Sequence, residues 1–327
     1  MTADHASPNG ALRIADEHLT VVVLPAHGFT VLSITDVSTG ADALWQREPF
    51  SAAAPGRSLG SGGSASETTF LDRFVGGWFE MFPVVGFPDG TDPVHLLHGE
   101  VVRLPWSVVN ATTTSVTAEV RCLRSPFVLR RSLELADGTL LIRESVVNVG
   151  NANATYLWGH HPCFSRSTFA GGRMELAVSR ANIPAPYYDP RRAVLAAGED
   201  FMWPNAPRRD GGTLDMSVIP ERPDFRHDHV CVRASEGILT LFAPKYQRAL
   251  TVGWDLAMFP YVLVWQDFQG QDGYPMFGCS DTFAVEFSNN PGRNMADARR
   301  EDSAGVLLPG ASAETTIQLS WHDLRSQ

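Results

Sequence analysis

The 327-residue chain is 44% hydrophobic and 19% charged, which supplies a large core and excludes disorder for most of its length. A formal net charge of −10 argues against a general nucleic-acid binder, whose affinity comes mainly from neutralising phosphates. Lys245 is the sole lysine among 26 basic residues, so any Schiff-base chemistry would rest on it.

The N-terminal MTADHASPNG has no basic start and no apolar stretch, so no signal peptide is read, and no apolar run approaches the roughly 18–20 residues of a bilayer span. A soluble, cytoplasmic protein is expected. Strands are predicted over 20–24 and 29–35. The low-complexity stretch 51–66 reads as a flexible surface loop, because too few residues precede it to make a domain. At 115–123 Val116, Ala118, Val120 and Cys122 alternate with Thr117, Glu119 and Arg121, the period of a half-buried strand. Further β-rich runs cover 139–149, 174–178, 237–243, 248–252, 261–265, 282–287 and 314–321, with turn residues between them. Residues 181–213 read as a long excursion between strands, and 294–301 as a short helix. Strands do not alternate with amphipathic helices, which disfavours a parallel α/β fold. The expected architecture is all-β, a large antiparallel β-sandwich with few short helices, formed as a single domain over residues 1–327.

Four segments could carry chemistry. Residues 72–100 gather Arg73, Gly76, Gly77, Trp78, Phe82, His95, His98 and Glu100 with no clear strand period. They suit a binding loop, with glycines for close backbone approach, and equally a loop whose aromatics cap the core. At 156–164, YLWGHHPCF, two adjacent histidines on a strand would point to opposite faces, so only one can face a given pocket. Cys163 and Asp189 give no recognised metal-ligand spacing, so acid–base work suits a histidine here better than zinc. The alternative is a structural histidine bonded to backbone. Glu286 lies in an apolar run, where burial would raise its pKa towards a useful general base; a rim glutamate paired with arginine is the plainer reading. Asp228 and His229, in DFRHDH, are a weaker signal. Cys122, Cys163, Cys231 and Cys279 form no C-x-x-C pair and no secreted disulfide framework.

Taken in order, HLLHGE at 95–100, NVGN with WGHHPCF, and FAVEFSNNPG followed by GVLLPGASAETTIQLSW resemble the aldose 1-epimerase (galactose mutarotase-like) family. The resemblance runs from about residue 68 to the C-terminus and implies the galactose mutarotase-like supersandwich. It implies that His161, three residues before Phe164, is the general acid on the sugar ring oxygen and Glu286 the base on the anomeric hydroxyl. His98, Asp228 and Arg73 match substrate-positioning residues. Trp78 and Trp265, with Phe82 and Trp158, would either stack on the sugar or belong to the core. Asp72, Cys163 and Phe287 depart from the family pattern and mark a divergent branch.

The implied reaction interconverts the α and β anomers of a free sugar through the open-chain aldehyde, with the carboxylate and the histidine on opposite sides of the hemiacetal. It requires no cofactor and no metal. The expected partner is a small-molecule sugar, with no nucleic acid and no membrane; a homodimer is compatible with this reading. A hexose-6-phosphate epimerase and a non-catalytic carbohydrate-binding protein on the same fold are the alternatives.

Overall fold

The computed structural model describes residues 10–47, 65–88, 95–185, 191–292 and 294–324. Within the 51–66 stretch, Ala65 and Ser66 belong to the helix Ala65–Arg73; the rest of that stretch and Asp189 lie outside the described residues. Three short α-helices, Ala65–Arg73, Arg166–Phe169 and Met295–Arg300, accompany a 16-stranded sheet whose paired strands are all antiparallel. None of the described helices is long and apolar enough to cross a membrane.

The sheet doubles over on itself. Its middle runs Trp78–Met81, Gly159–Ser165, Asp281–Ser288, Tyr261–Phe268 and His227–Ala243, and then Arg248–Gly253, Ser312–Asp323, Thr139–Asn148 and Phe127–Ala136. The 17-residue strand His227–Ala243 makes the turn between layers. Residues 227–233 pair with Tyr261–Phe268, and residues 238–243 pair with Arg248–Gly253. Gly237 lies at the crossing, where a Cβ would stand 2.2 Å from the Trp254 carbonyl oxygen; only glycine allows that approach.

The expected strands at 20–24, 174–178, 237–243, 248–252, 261–265, 282–287 and 314–321 fall within observed ones, and those at 29–35 and 139–149 overrun theirs by one residue each, Phe29 and Val149. Several strands went unread, Phe127–Ala136 among them; two others, Trp78–Met81 and Gly159–Ser165, shape the site. Every residue in both is buried, so neither carries the alternation that betrays a half-exposed strand. Gly76 and Gly77 do permit close backbone approach, but to the chain's own carbonyls. A Cβ on Gly76 would lie 2.3 Å from the Trp45 oxygen, and one on Gly77 2.5 Å from that of Val31.

The interior between the layers holds an ionic cluster as well as apolar side chains. Phe127, Leu129, Leu133 and Leu135 face inwards from one strand, and Arg131 occupies the place between them with no exposure. Its cross-strand partner is Glu144, with Nε 2.9 Å from Oε1. From the facing layer His160 Nε2 reaches Glu144 Oε2 at 3.0 Å. Beside His160, Glu80 accepts a 2.7 Å hydrogen bond from Trp158 Nε1. The positive charges of His160 and Arg131 hold the Glu144 carboxyl below its ordinary range, although burial works against them. Burial, helped by the Glu144 charge, pushes Glu80 well above it.

A buried charge is tolerable only while it is paired. Arg131→Met is therefore expected to lower stability by about 3–5 kcal/mol, read from the urea unfolding midpoint. Adding Glu144→Leu should recover part of that loss; a double variant weaker than Arg131→Met would contradict the pairing.

Candidate active site

Cross-strand register builds the site. The pairing of Gly159 with Ser288 and of Cys163 with Ala284 sets His161 directly opposite Glu286 on neighbouring antiparallel strands. The side chains meet, His161 Nε2 standing 3.3 Å from Glu286 Oε1. Sequence reasoning expected them on opposite sides of a hemiacetal; they stand side by side on one sheet face. Their side chains keep 8% and 6% exposure, against 0% and 1% for His160 and Glu144 behind them, so the pair still reaches the surface.

Neighbouring strands extend the face. Leu263 pairs with Glu286 and Trp265 with Ala284; His229 and Cys231 pair with Trp265 and Leu263 in turn. Tyr261, Leu263 and Trp265 are half-buried and alternate with buried Val262, Val264 and Gln266, so this face is open where the opposite one is core. On the other flank His161 stacks on Phe79, with ring centroids 4.6 Å apart. Phe79, Phe70, Phe74, Cys163, Met276 and Met295 form a second apolar cluster around it, drawing on the helices Ala65–Arg73 and Met295–Arg300.

The other sequence candidates divide by face. Trp265 lies at the site, its ring centroid 5.8 Å from that of His161. His98 is also there, 5.5 Å from His161, with Nδ1 donating to the Val85 carbonyl at 2.7 Å in the neutral ring. Trp78 belongs to the opposite face: it is wholly buried in the core, edge-on to His160 and Phe287. Phe82 and Trp158 are core residues too. Asp228 likewise points away from the pair. Its carboxylate accepts from the amides of Val194 (3.0 Å) and Leu195 (3.1 Å), and so anchors the preceding excursion. Arg73 donates to the Arg103 carbonyl at 2.9 Å and lines a small hollow with His27 and Phe79, with no contact to His161 or Glu286 among those described.

Phe79 and His227 went unnoticed as site components; His229 stood only as a weak signal beside Asp228, and Cys163 only as a departure from the family pattern. Strand alternation was the available signal, since the neighbours of an inward Asp228 must face outwards. Trp265 Nε1 donates to His227 Nε2 at 2.6 Å, so that nitrogen carries no proton. Cys163 Sγ lies 3.3 Å from His161 Nδ1. Burial, then the nearby Glu286 charge, pushes the thiol well above its ordinary range. That contact turns Nδ1 towards the thiol and leaves Nε2 facing Glu286. Among the described residues, no three of His, Cys, Asp and Glu converge as metal ligands.

No protein-family profile matches the chain, and no curated protein matches it. Solved structures do. A galactose mutarotase-like protein from Clostridium acetobutylicum superposes with a TM-score of 0.67 at 16% identity, covering 96% of this chain and 95% of that one. The fold is galactose mutarotase-like. A galactose mutarotase related enzyme from Lactobacillus acidophilus gives 0.64 at 17% identity, over 96% and 98% of the two chains. A Klebsiella pneumoniae protein provisionally assigned as an aldose 1-epimerase gives 0.72 at 15%, over 97% and 81%.

In this galactose mutarotase-like framework, burial neutralises the site. It pushes the Glu286 carboxyl well above the ordinary range. It draws His161 well below 6.5, with the neighbouring His98 adding to the effect. His98 and His229 are each brought down to about 4, first by burial. An unfolded chain protonates these two histidines near 6.5, before the folded chain does, so the stability they confer is complete above 6.5 and drains away as the pH falls towards 4. The thermal midpoint of His229→Gln should accordingly fall less steeply than that of the native chain between pH 6.5 and 4. Parallel slopes would show that His229 titrates normally.

Proposed function

We propose that this chain is an aldose 1-epimerase-like enzyme that interconverts the α and β anomers of a free sugar, with Glu286 as base and His161 as acid. The observation that carries the reading is the adjacent pair, a carboxyl and an imidazole 3.3 Å apart on the open face of a galactose mutarotase-like sheet. The anomeric hydroxyl and the ring oxygen of a hemiacetal share one carbon. Two groups side by side therefore serve both oxygens when the sugar approaches edge-on. The step runs from the charged form of the pair: a Glu286 carboxylate takes the proton of the anomeric hydroxyl while a His161 imidazolium gives one to the ring oxygen, the ring opens to the aldehyde, and the pair is left uncharged, the form that burial favours. After rotation about the bond to the aldehyde carbon, the same groups in exchanged roles close it.

The electrostatics support these roles. A carboxylate whose pKa has been raised is a stronger base, and an imidazolium whose pKa has been lowered is a stronger acid. Trp265 offers a half-buried aromatic surface beside the pair, and His98 offers a polar atom. A non-catalytic carbohydrate-binding protein would have no need of an acid and a base in contact. A sugar phosphate fits less well than a free sugar. Arg47, Arg73 and Arg103, around the Ala65–Arg73 helix, each donate to backbone carbonyls, which diverts them from a phosphate.

Glu286→Gln and His161→Asn should each slow mutarotation by about 10²–10⁴-fold with unchanged circular dichroism. Polarimetry on freshly dissolved α-glucose and α-galactose measures this. A native rate equal to that of buffer across a panel of sugars would end the proposal. Cys163→Ala should lose more activity than Cys163→Ser, which keeps a hydrogen-bonding group at His161 Nδ1; equal losses would remove the thiol's orienting role.

A further inference from the structure

A groove of about 610 Å³ opens in the layer that carries none of the residues described above as the site. Strand pairing creates it. Ser312–Asp323 pairs with Arg248–Gly253 only from Asp323 as far as Gln318, while on its other side it pairs with Thr139–Asn148 up to Ser312. Residues 312–317 therefore lack a strand neighbour on one side among the described residues, and the sheet is open there. Core-facing Glu144 and Thr315, cross-strand partners, line the opening with Trp254, Gln318, Thr316 and Arg143.

The floor is a built polar surface. Thr315 is 6% exposed, and its hydroxyl has no hydrogen-bond partner. Glu144 is 4% exposed and lines the groove while its carboxylate also meets Arg131 and His160. A buried hydroxyl without a partner is uncommon in a native fold and points to a ligand group that supplies one. Trp254 has one face of its indole laid on Phe287, ring centroids 4.9 Å apart, which holds it rigid at the wall. The volume lies within the range of small-molecule sites.

We propose that this groove is a second ligand site, and that it takes a neutral saccharide. Arg131 and His160 compensate Glu144, Arg143 pairs with Glu134, and Asp255 accepts from the Ala257 and Met258 amides, which leaves Glu314 as a further acceptor in a lining made mainly of hydroxyl, amide and carboxylate groups. Sugar hydroxyls, which donate and accept together, match such a surface, and the tryptophan matches an apolar sugar face. The site is independent of the His161–Glu286 chemistry.

Calorimetric titration of the double variant His161→Ala/Glu286→Gln with glucose, galactose, maltotriose and cellotriose tests it. Saccharide binding should persist there, and Thr316→Trp or Gln318→Ala added to it should weaken binding about tenfold. In the otherwise native chain Thr316→Trp should leave mutarotation unchanged. Absence of saccharide binding in the double variant would overturn the proposal. So would binding untouched by both groove substitutions, or heat from the polyamine spermidine alone. Loss of the epimerase reading would show in polarimetry and would leave these titrations standing.

Discussion

Everything in the site depends on the pleat of one strand. Gly159–Ser165 is buried on both faces, and its two histidines leave it in opposite directions. His161 goes to Glu286 and the open face, and His160 goes to Glu144 and the interior. One seven-residue element thus ties a surface acid–base pair to an internal ionic cluster through adjacent peptide units.

The cluster bears on the pair through rigidity. Phe287, next to Glu286, packs under Trp254 and beside the His160 ring, so the base is held from behind as firmly as the acid. The site face has its own restraints: Phe79 against one side of the His161 ring, the Cys163 thiol at Nδ1 and Glu286 at Nε2. An imidazole fixed at both nitrogens and across one face has little rotamer freedom left to lose when a substrate arrives.

Much of this was legible in the sequence. Half-exposed strands announced themselves by alternation, as at Ser115–Arg121, and the β-rich runs gave the all-β class. The two histidines were correctly expected to diverge, and ordered motifs pointed to His161 and Glu286. What stayed hidden has physical causes. Doubly buried strands such as Trp78–Met81 show no period. Pairing register is a relation between distant segments, so the direct contact of His161 with Glu286 could not be read from either. Asp228 was picked for its match to a substrate-positioning residue of the resembled family, but its carboxylate is occupied by two backbone amides, and the histidines flanking it are the ones that share a face with Trp265. Trp78 illustrates the ambiguity of large aromatics, which serve cores and sugar sites with the same surface.

The pleat also bears on how this chain can diverge. Inserting one residue between Gly159 and His160 would exchange the two rings, sending a surface imidazole into the ionic interior and an interior one to the surface. Point substitutions on either face can accumulate separately, whereas a change of length here strikes both at once. Relatives that share the chemistry should therefore vary in the connections and keep the spacing of this segment fixed.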